Sequence, residues 1–162
     1  MPELENMLNP IRVAGRCGIA ATEPLAQVGA LPWRMSKKGL LRIMLITSRS
    51  GRQWIIPKGW PIAGKSEAES AGREALEEAG IIGDLAPRPL GDFHYSKHGC
   101  SEEILRVRVF PLRVRGTLVR WQESKERKRR WFSISEATNT VANNELAALI
   151  QASSEAGFDK AD

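Results

Sequence analysis

The stretch Gly59-Trp-Pro-Ile-Ala-Gly-Lys-Ser-Glu-Ala-Glu-Ser-Ala-Gly-Arg-Glu-Ala-Leu-Glu-Glu-Ala-Gly-Ile81 passes from loop to helix and out again within one short segment. Ser66 followed three residues later by Glu69 is a capping box, in which each side chain takes a backbone N–H of the other, so a helix starts there. Gly80 supplies the stop, because glycine accepts the left-handed backbone on which helices end. The predicted helix covers 66–79. At 100° per residue, Glu74, Glu77 and Glu78 fall within an arc of roughly 100°, while Ala68, Ala71, Gly72, Ala75, Leu76 and Ala79 take the far side. The small apolar side lets the helix backbone lie close against a sheet and hold the carboxylates in place.

Three carboxylates at i, i+3 and i+4 repel one another unless a cation sits among them, and hard oxygen donors of this kind suit Mg²⁺ or Mn²⁺. The blander reading of the same residues is a solvated acidic face, with Arg73 pairing to Glu77 at i+4.

Around this helix the chain reads as short apolar segments separated by single glycines and prolines, with no repeat and no low-complexity tract. Strands are predicted at 26–34, 40–48, 52–56, 88–95, 103–115 and 128–133, a loop carries Pro57 to Pro61, and a second helix closes the chain at 143–152. The sum is an α+β fold, a mixed sheet without the regular alternation of a doubly wound one. With 162 residues, the chain suits one domain, 1–162, with an ordered core over about 11–152 and polar, mobile ends.

A hydrophobic content of 42% against 27% charged residues excludes a disordered or fibrous chain. No apolar run reaches the roughly 20 residues of a membrane span, so no membrane partner is expected. The acidic opening residues lack the pattern of a secretory signal, which makes the cytoplasm the expected setting and Cys17 and Cys100 free thiols. A net charge of +5 favours polyanionic partners, either nucleic acid or a phosphorylated small molecule. The sequence specifies neither an oligomeric state nor a number of metal ions.

Read in register, Gly59 and Arg73-Glu74-Ala75-Leu76-Glu77-Glu78-Ala79-Gly80-Ile81 resemble the signature of the Nudix hydrolases: Gly, five residues, Glu, seven residues, Arg-Glu-apolar-any-Glu-Glu-any-Gly-apolar. Six fixed identities coincide by accident in on the order of one chain of this length in 10⁵. The resemblance implies a Nudix-type mixed sheet between the central helix and a C-terminal helix. It also implies a pyrophosphohydrolase that cleaves a nucleoside diphosphate linked to another moiety. Glu74, Glu77 and Glu78, with the carbonyl of Gly59, are then the expected ligands of Mg²⁺ or Mn²⁺, Arg73 orients the glutamates, and Glu74 or Glu78 is the general base. One position departs: the first glutamate of the signature falls on Lys65, which either reaches a substrate phosphate or is a surface lysine. Its loss bears on metal number and turnover more than on the fold.

Outside the signature, Leu31-Pro-Trp-Arg34, Thr47-Ser-Arg-Ser-Gly-Arg-Gln-Trp-Ile-Ile-Pro-Lys58 and Arg127-Lys-Arg-Arg-Trp-Phe132 look similar to the diadenosine and diphosphoinositol polyphosphate phosphohydrolase branch. That likeness implies a basic groove from Arg34, Ser48, Arg49 and the run from Arg127 to Arg130, Arg129 included, with Lys58 beside the signature. A substrate of four or more phosphates needs several cations along its length, which the same residues supply. Trp60 is a candidate for stacking on a nucleobase, whereas Trp33, Trp54, Trp121 and Trp131 fall where strands would bury them. His94 and His98, in a predicted loop around Tyr95, and Glu123 are lesser candidates for a base or a further ligand. The expected substrate is thus a phosphorylated small molecule, a dinucleoside polyphosphate first. The alternatives are a 5′-pyrophosphate on RNA and a binding module that Lys65 has disabled.

Overall fold

The computed structural model describes residues 25–97 and 103–158. Cys17, Cys100 and His98, the first ten residues and the expected start of the core at residue 11 lie outside them. In chain order the elements are β1 (Leu25–Met35), β2 (Leu41–Thr47), β3 (Trp54–Ile55), β4 (Lys58–Gly59), α1 (Glu67–Ala79), β5 (Ile81–Leu85), β6 (Gly91–Ser96), β7 (Ile104–Thr117), β8 (Arg129–Ser133), α2 (Ile134–Thr140) and α3 (Asn144–Ala156). The strands form one mixed sheet in which β1 lies between β2, antiparallel to it, and β7, parallel to it. The far edge of β7 carries β6 along its first half and β5 along its second, both antiparallel.

Alternation of side chains along the strands divides the core between the two faces of the sheet. On one face Val28, Ala30, Met44, Ile46, Phe110 and Leu112 pack against Ala71, Ala75 and Ala79 of α1. On the other, Leu31, Trp33, Leu45, Val107 and Phe132 pack against Ala137 of α2 and Leu146 and Ile150 of α3. The expected α+β sandwich is present, and α1 sits as its alanine face requires: those three alanines are wholly buried. A methyl group added at Gly72 would overlap Leu85, so the small face also sets how near β5 approaches.

Four local differences from the predicted elements have physical reasons. β5 was not expected, because Ile-Ile-Gly-Asp-Leu has no clean alternation and gains its pairing only from the distal half of β7. The segment at 57–61, expected as loop, contains the two-residue β4, whose Gly59 pairs with Val28. α2 is a helix outside the predicted elements, started by Ser133 and Glu136, which form a capping box like that at Ser66. The C-terminal boundary lies later than residue 152: α3 continues to Ala156, and buried Phe158 stacks on Trp33 with ring centroids 5.4 Å apart. No helix among the described residues is long and apolar enough to cross a membrane.

Candidate active site

The signature helix is fixed at its start by its own sequence. Ser66 Oγ accepts the Glu69 amide at 3.1 Å and Glu69 Oε2 accepts the Ser66 amide at 2.9 Å. From that start, the 3.6-residue period carries Glu74 and Glu78 toward β4. Gly59 meets Glu74 so closely that a Cβ at residue 59 would overlap its carboxylate, which is the physical reason for glycine there. Glu74, Glu77, Glu78 and Glu123 line a cavity of about 450 Å³ with Arg49 at its mouth.

The four carboxylates are not equivalent. Glu78, which a solvated acidic face would leave exposed, is buried at 6% exposure. Its Oε2 accepts the Lys58 amide at 3.3 Å and its Oε1 accepts from Arg127 Nη2 at 3.1 Å. Burial nonetheless outweighs Arg127 and pushes the Glu78 carboxyl up to about 7. Glu74 is half-buried, and its carboxyl is also raised, first by burial and then by repulsion from Glu77 and Glu123. Among the described residues its carboxylate accepts no hydrogen bond. Glu77 pairs with Arg73, Nε to Oε1, at 2.8 Å on the surface. Glu123 Oε1 accepts from Arg49 at 3.2 Å and from Arg127 Nε at 3.3 Å.

The donor chemistry fits a hard divalent cation: four carboxylates with residual mutual repulsion, one of them packed on the Gly59 backbone. In the present arrangement Arg73 takes Glu77 while Arg127 bridges Glu78 and Glu123, and no three acidic side chains among the described residues converge on one point. Engaging a common ion therefore requires side-chain rotation.

Lys58 reaches away from the carboxylates. Its Nζ donates to Tyr95 Oη at 3.1 Å, and Tyr95 Oη donates to Gln27 Oε1 at 2.7 Å. Burial lowers the Lys58 ammonium from its usual range, opposed by Glu78. The Tyr95–Gln27 pair is not visible in the sequence because it joins β6 to β1; His94 and Tyr95 lie in β6, as the predicted strand 88–95 requires, and not in a loop. His94 Nδ1 lies 3.1 Å from Glu145 Oε2, which ties it to α3 rather than to the cavity.

The predicted basic groove is divided. Arg49 is exposed beside the cavity, and Ser48 next to it accepts the Gln53 amide at 3.3 Å. Arg127 is buried, with its guanidinium on Glu78, Glu123 and, at 3.1 Å, the Thr47 carbonyl. Arg129 turns to the end of α1, where Nη1 donates to the Ala79 carbonyl at 2.7 Å. Arg34 stacks over Trp131 at 4.0 Å and stands six residues along β1 from Val28, the partner of Gly59, so roughly 20 Å away at the rise of a strand. Lys65 lines a separate shallow groove between α1 and β5 with Arg73, Leu76 and Ile82, not the carboxylate cavity. Trp60 is 48% exposed next to Gly59, while Trp121 lies in a turn and not in the strand expected for it.

A mixed sheet between helices, with a glycine of a short strand set against a carboxylate-bearing helix, is a Nudix arrangement, and the chain belongs to that family: the NUDIX domain model matches residues 24–152. Among its relatives, Nudix hydrolase 21, chloroplastic, of Arabidopsis thaliana is 36% identical over 129 residues, covering 77% of this chain and 64% of that protein. Diphosphoinositol polyphosphate phosphohydrolase 3-beta of Bos taurus is 33% identical over 101 residues, 61% of this chain and 58% of that one. The crystal structure of the Ap4A hydrolase of C. elegans shares the fold at a TM-score of 0.62 and 19% identity, covering 82% of this chain and 97% of that one. The chain spans 58–64% of the length of the first curated relatives it matches.

Proposed function

We propose that this protein is a metal-dependent pyrophosphohydrolase that cleaves a phosphoanhydride bond in a nucleoside diphosphate-linked substrate, a dinucleoside polyphosphate in the first place. The observation that carries the reading is the cavity lined by Glu74, Glu77, Glu78 and Glu123, in which Glu74 packs on Gly59 and burial raises the carboxyls of Glu74 and Glu78. Relatives named as hydrolases of diphosphoinositol polyphosphates and of Ap4A support the substrate class.

Glu74, Glu77, Glu78 and Glu123, with the Gly59 carbonyl, would hold Mg²⁺ or Mn²⁺, which when bound neutralises charge on the pyrophosphate and acidifies water. Glu78 is oriented from both sides, by Lys58 and Arg127, and so serves to hold. Glu74 has free acceptor capacity and a raised carboxyl, and is the better placed of the two candidate bases. Arg73 steadies Glu77 through their ion pair. Arg49 offers a cation at the cavity for the phosphates, whereas Lys58, expected to do the same, is turned to Tyr95; Trp60 offers an exposed indole next to Gly59. The position of Lys65 outside the cavity supports turnover over a disabled binding module, because no lysine occupies the carboxylate cluster.

The test is product analysis of the purified protein with Mg²⁺ or Mn²⁺ against diadenosine polyphosphates, nucleoside triphosphates and 5′-triphosphorylated RNA. Selective cleavage of the dinucleotides is the expected result. Preferential release of pyrophosphate from RNA, falling steeply with salt, would replace the substrate class. Ligand-induced stabilisation with no product under either metal would reduce the protein to a binding module.

A further inference from the structure

An α-helix leaves its last four carbonyls without intrahelical partners, and they are usually met by water or by a local cap. α1 has no basic residue in its last turn and ends on Gly80 in the left-handed conformation, at φ 62°. The Leu76 carbonyl accepts the Gly80 amide, and the carbonyls of the last three helical residues and of Gly80 are each taken by one donor from a single distant segment, residues 118–129. The Glu77 carbonyl accepts the Glu123 amide at 3.1 Å, and the Gly80 carbonyl accepts the Leu118 amide at 2.8 Å. The Glu78 carbonyl accepts Trp121 Nε1 at 2.9 Å, and the Ala79 carbonyl accepts Arg129 Nη1 at 2.7 Å. Arg129 also donates through Nη2 to the Leu118 carbonyl at 2.6 Å and lies 4.0 Å over the Trp121 ring, so the donors are locked to one another. Gly80 completes the fit: a Cβ there would come within 2.8 Å of Arg129 Nη1 and 2.9 Å of Trp121 Cβ.

The clasped turn carries Glu77 and Glu78, and the clasping segment carries Glu123 and Arg127, the partners of the cavity. We propose that Trp121 and Arg129 are positioning residues, which set the distance between the α1 carboxylates and Glu123 by gripping the backbone of the helix end. Neither side chain reaches the cavity. Their effect passes through the helix carbonyls, a supporting layer of the kind that tunes metal affinity without touching the metal. The inference rests on the proposed hydrolase reading.

Trp121→Phe keeps a ring beneath Arg129 and removes one indole N–H; Arg129→Lys keeps the charge and loses the paired donation, and serves if the first variant folds poorly. Two measurements need no turnover: amide hydrogen exchange of Leu118 and Glu123 in metal-free protein, and Mn²⁺ titration well below the melting temperature. Expected for Trp121→Phe are exchange about tenfold faster at both amides, Mn²⁺ affinity about tenfold weaker, and kcat on diadenosine polyphosphate reduced with KM little changed. A purely structural role would lower the melting temperature and leave Mn²⁺ affinity within twofold; with an active parent protein, that result overturns the proposal alone. A parent protein that neither binds Mn²⁺ nor cleaves any substrate overturns the hydrolase reading and this proposal with it.

Discussion

The two ends of α1 are built in opposite ways. The first turn is closed by residues of the helix itself, Ser66 and Glu69, three positions apart. The last turn is closed by a segment more than thirty residues further along the chain. A local cap stabilises a helix wherever the helix goes, whereas a distant clasp fixes where its end lies relative to something else. The proposed chemistry sits at the clasped end, where position matters, and the self-sufficient end faces solvent.

That contrast is easiest to break at the carboxylates. Glu74→Gln is expected to lower kcat by about 10²- to 10⁴-fold with the melting temperature nearly unchanged, measured by steady-state hydrolysis beside thermal unfolding. Retained activity would move the base elsewhere.

The next effect is a pH dependence confined to the clasped end. In metal-free protein the Glu78 carboxyl lies near 7, above its unfolded value, so the folded state binds its proton more tightly. Stability from this group is therefore full below the unfolded value and is lost as pH rises through about 7. The difference between the parent and Glu78→Gln in urea unfolding should change by up to about 3 kcal/mol between pH 5 and pH 8. The same proton must leave when a metal binds, so Mn²⁺ affinity should rise over that interval.

Ser66→Ala sharpens the comparison from the other end. Loss of the cap is expected to cost about 1 kcal/mol in urea unfolding while kcat and Mn²⁺ affinity stay within twofold. The smallest effect belongs to Arg73, whose exposed pair with Glu77 contributes a few tenths of a kcal/mol to the helix. Arg73→Ala should therefore barely move the unfolding midpoint.

The same division explains what could be read in advance. The extent of α1, its alanine face and its cap are local patterns, and they appear where the sequence places them. The basic run 127–130 looked uniform because four cations in a row carry no record of where each points. Its members separate into a buried partner of Glu78, an exposed lysine, a helix clasp and an arginine over Phe132 at 4.2 Å. Burial of Glu78 was not foreseeable from helical period alone, since Arg127 and the Lys58 amide that permit it come from other elements. β5 was hidden for a related reason: its pairing depends on the length of β7, not on its own composition. α2 is the opposite case, because Ser133 and Glu136 carry the same local signal as Ser66 and Glu69 and mark a helix outside the predicted elements.

The parallel pairing of β1 with β7 runs from Leu25 opposite Leu105 to Trp33 opposite Arg113. During synthesis on a ribosome, β1 and β2 can pair early, but the other flank of β1 stays open until some eighty further residues have been made. Over that interval an apolar strand waits with one row of backbone groups unmatched, a template for misassociation. The order of the strands thus makes the newly synthesised chain more dependent on protection than the finished molecule.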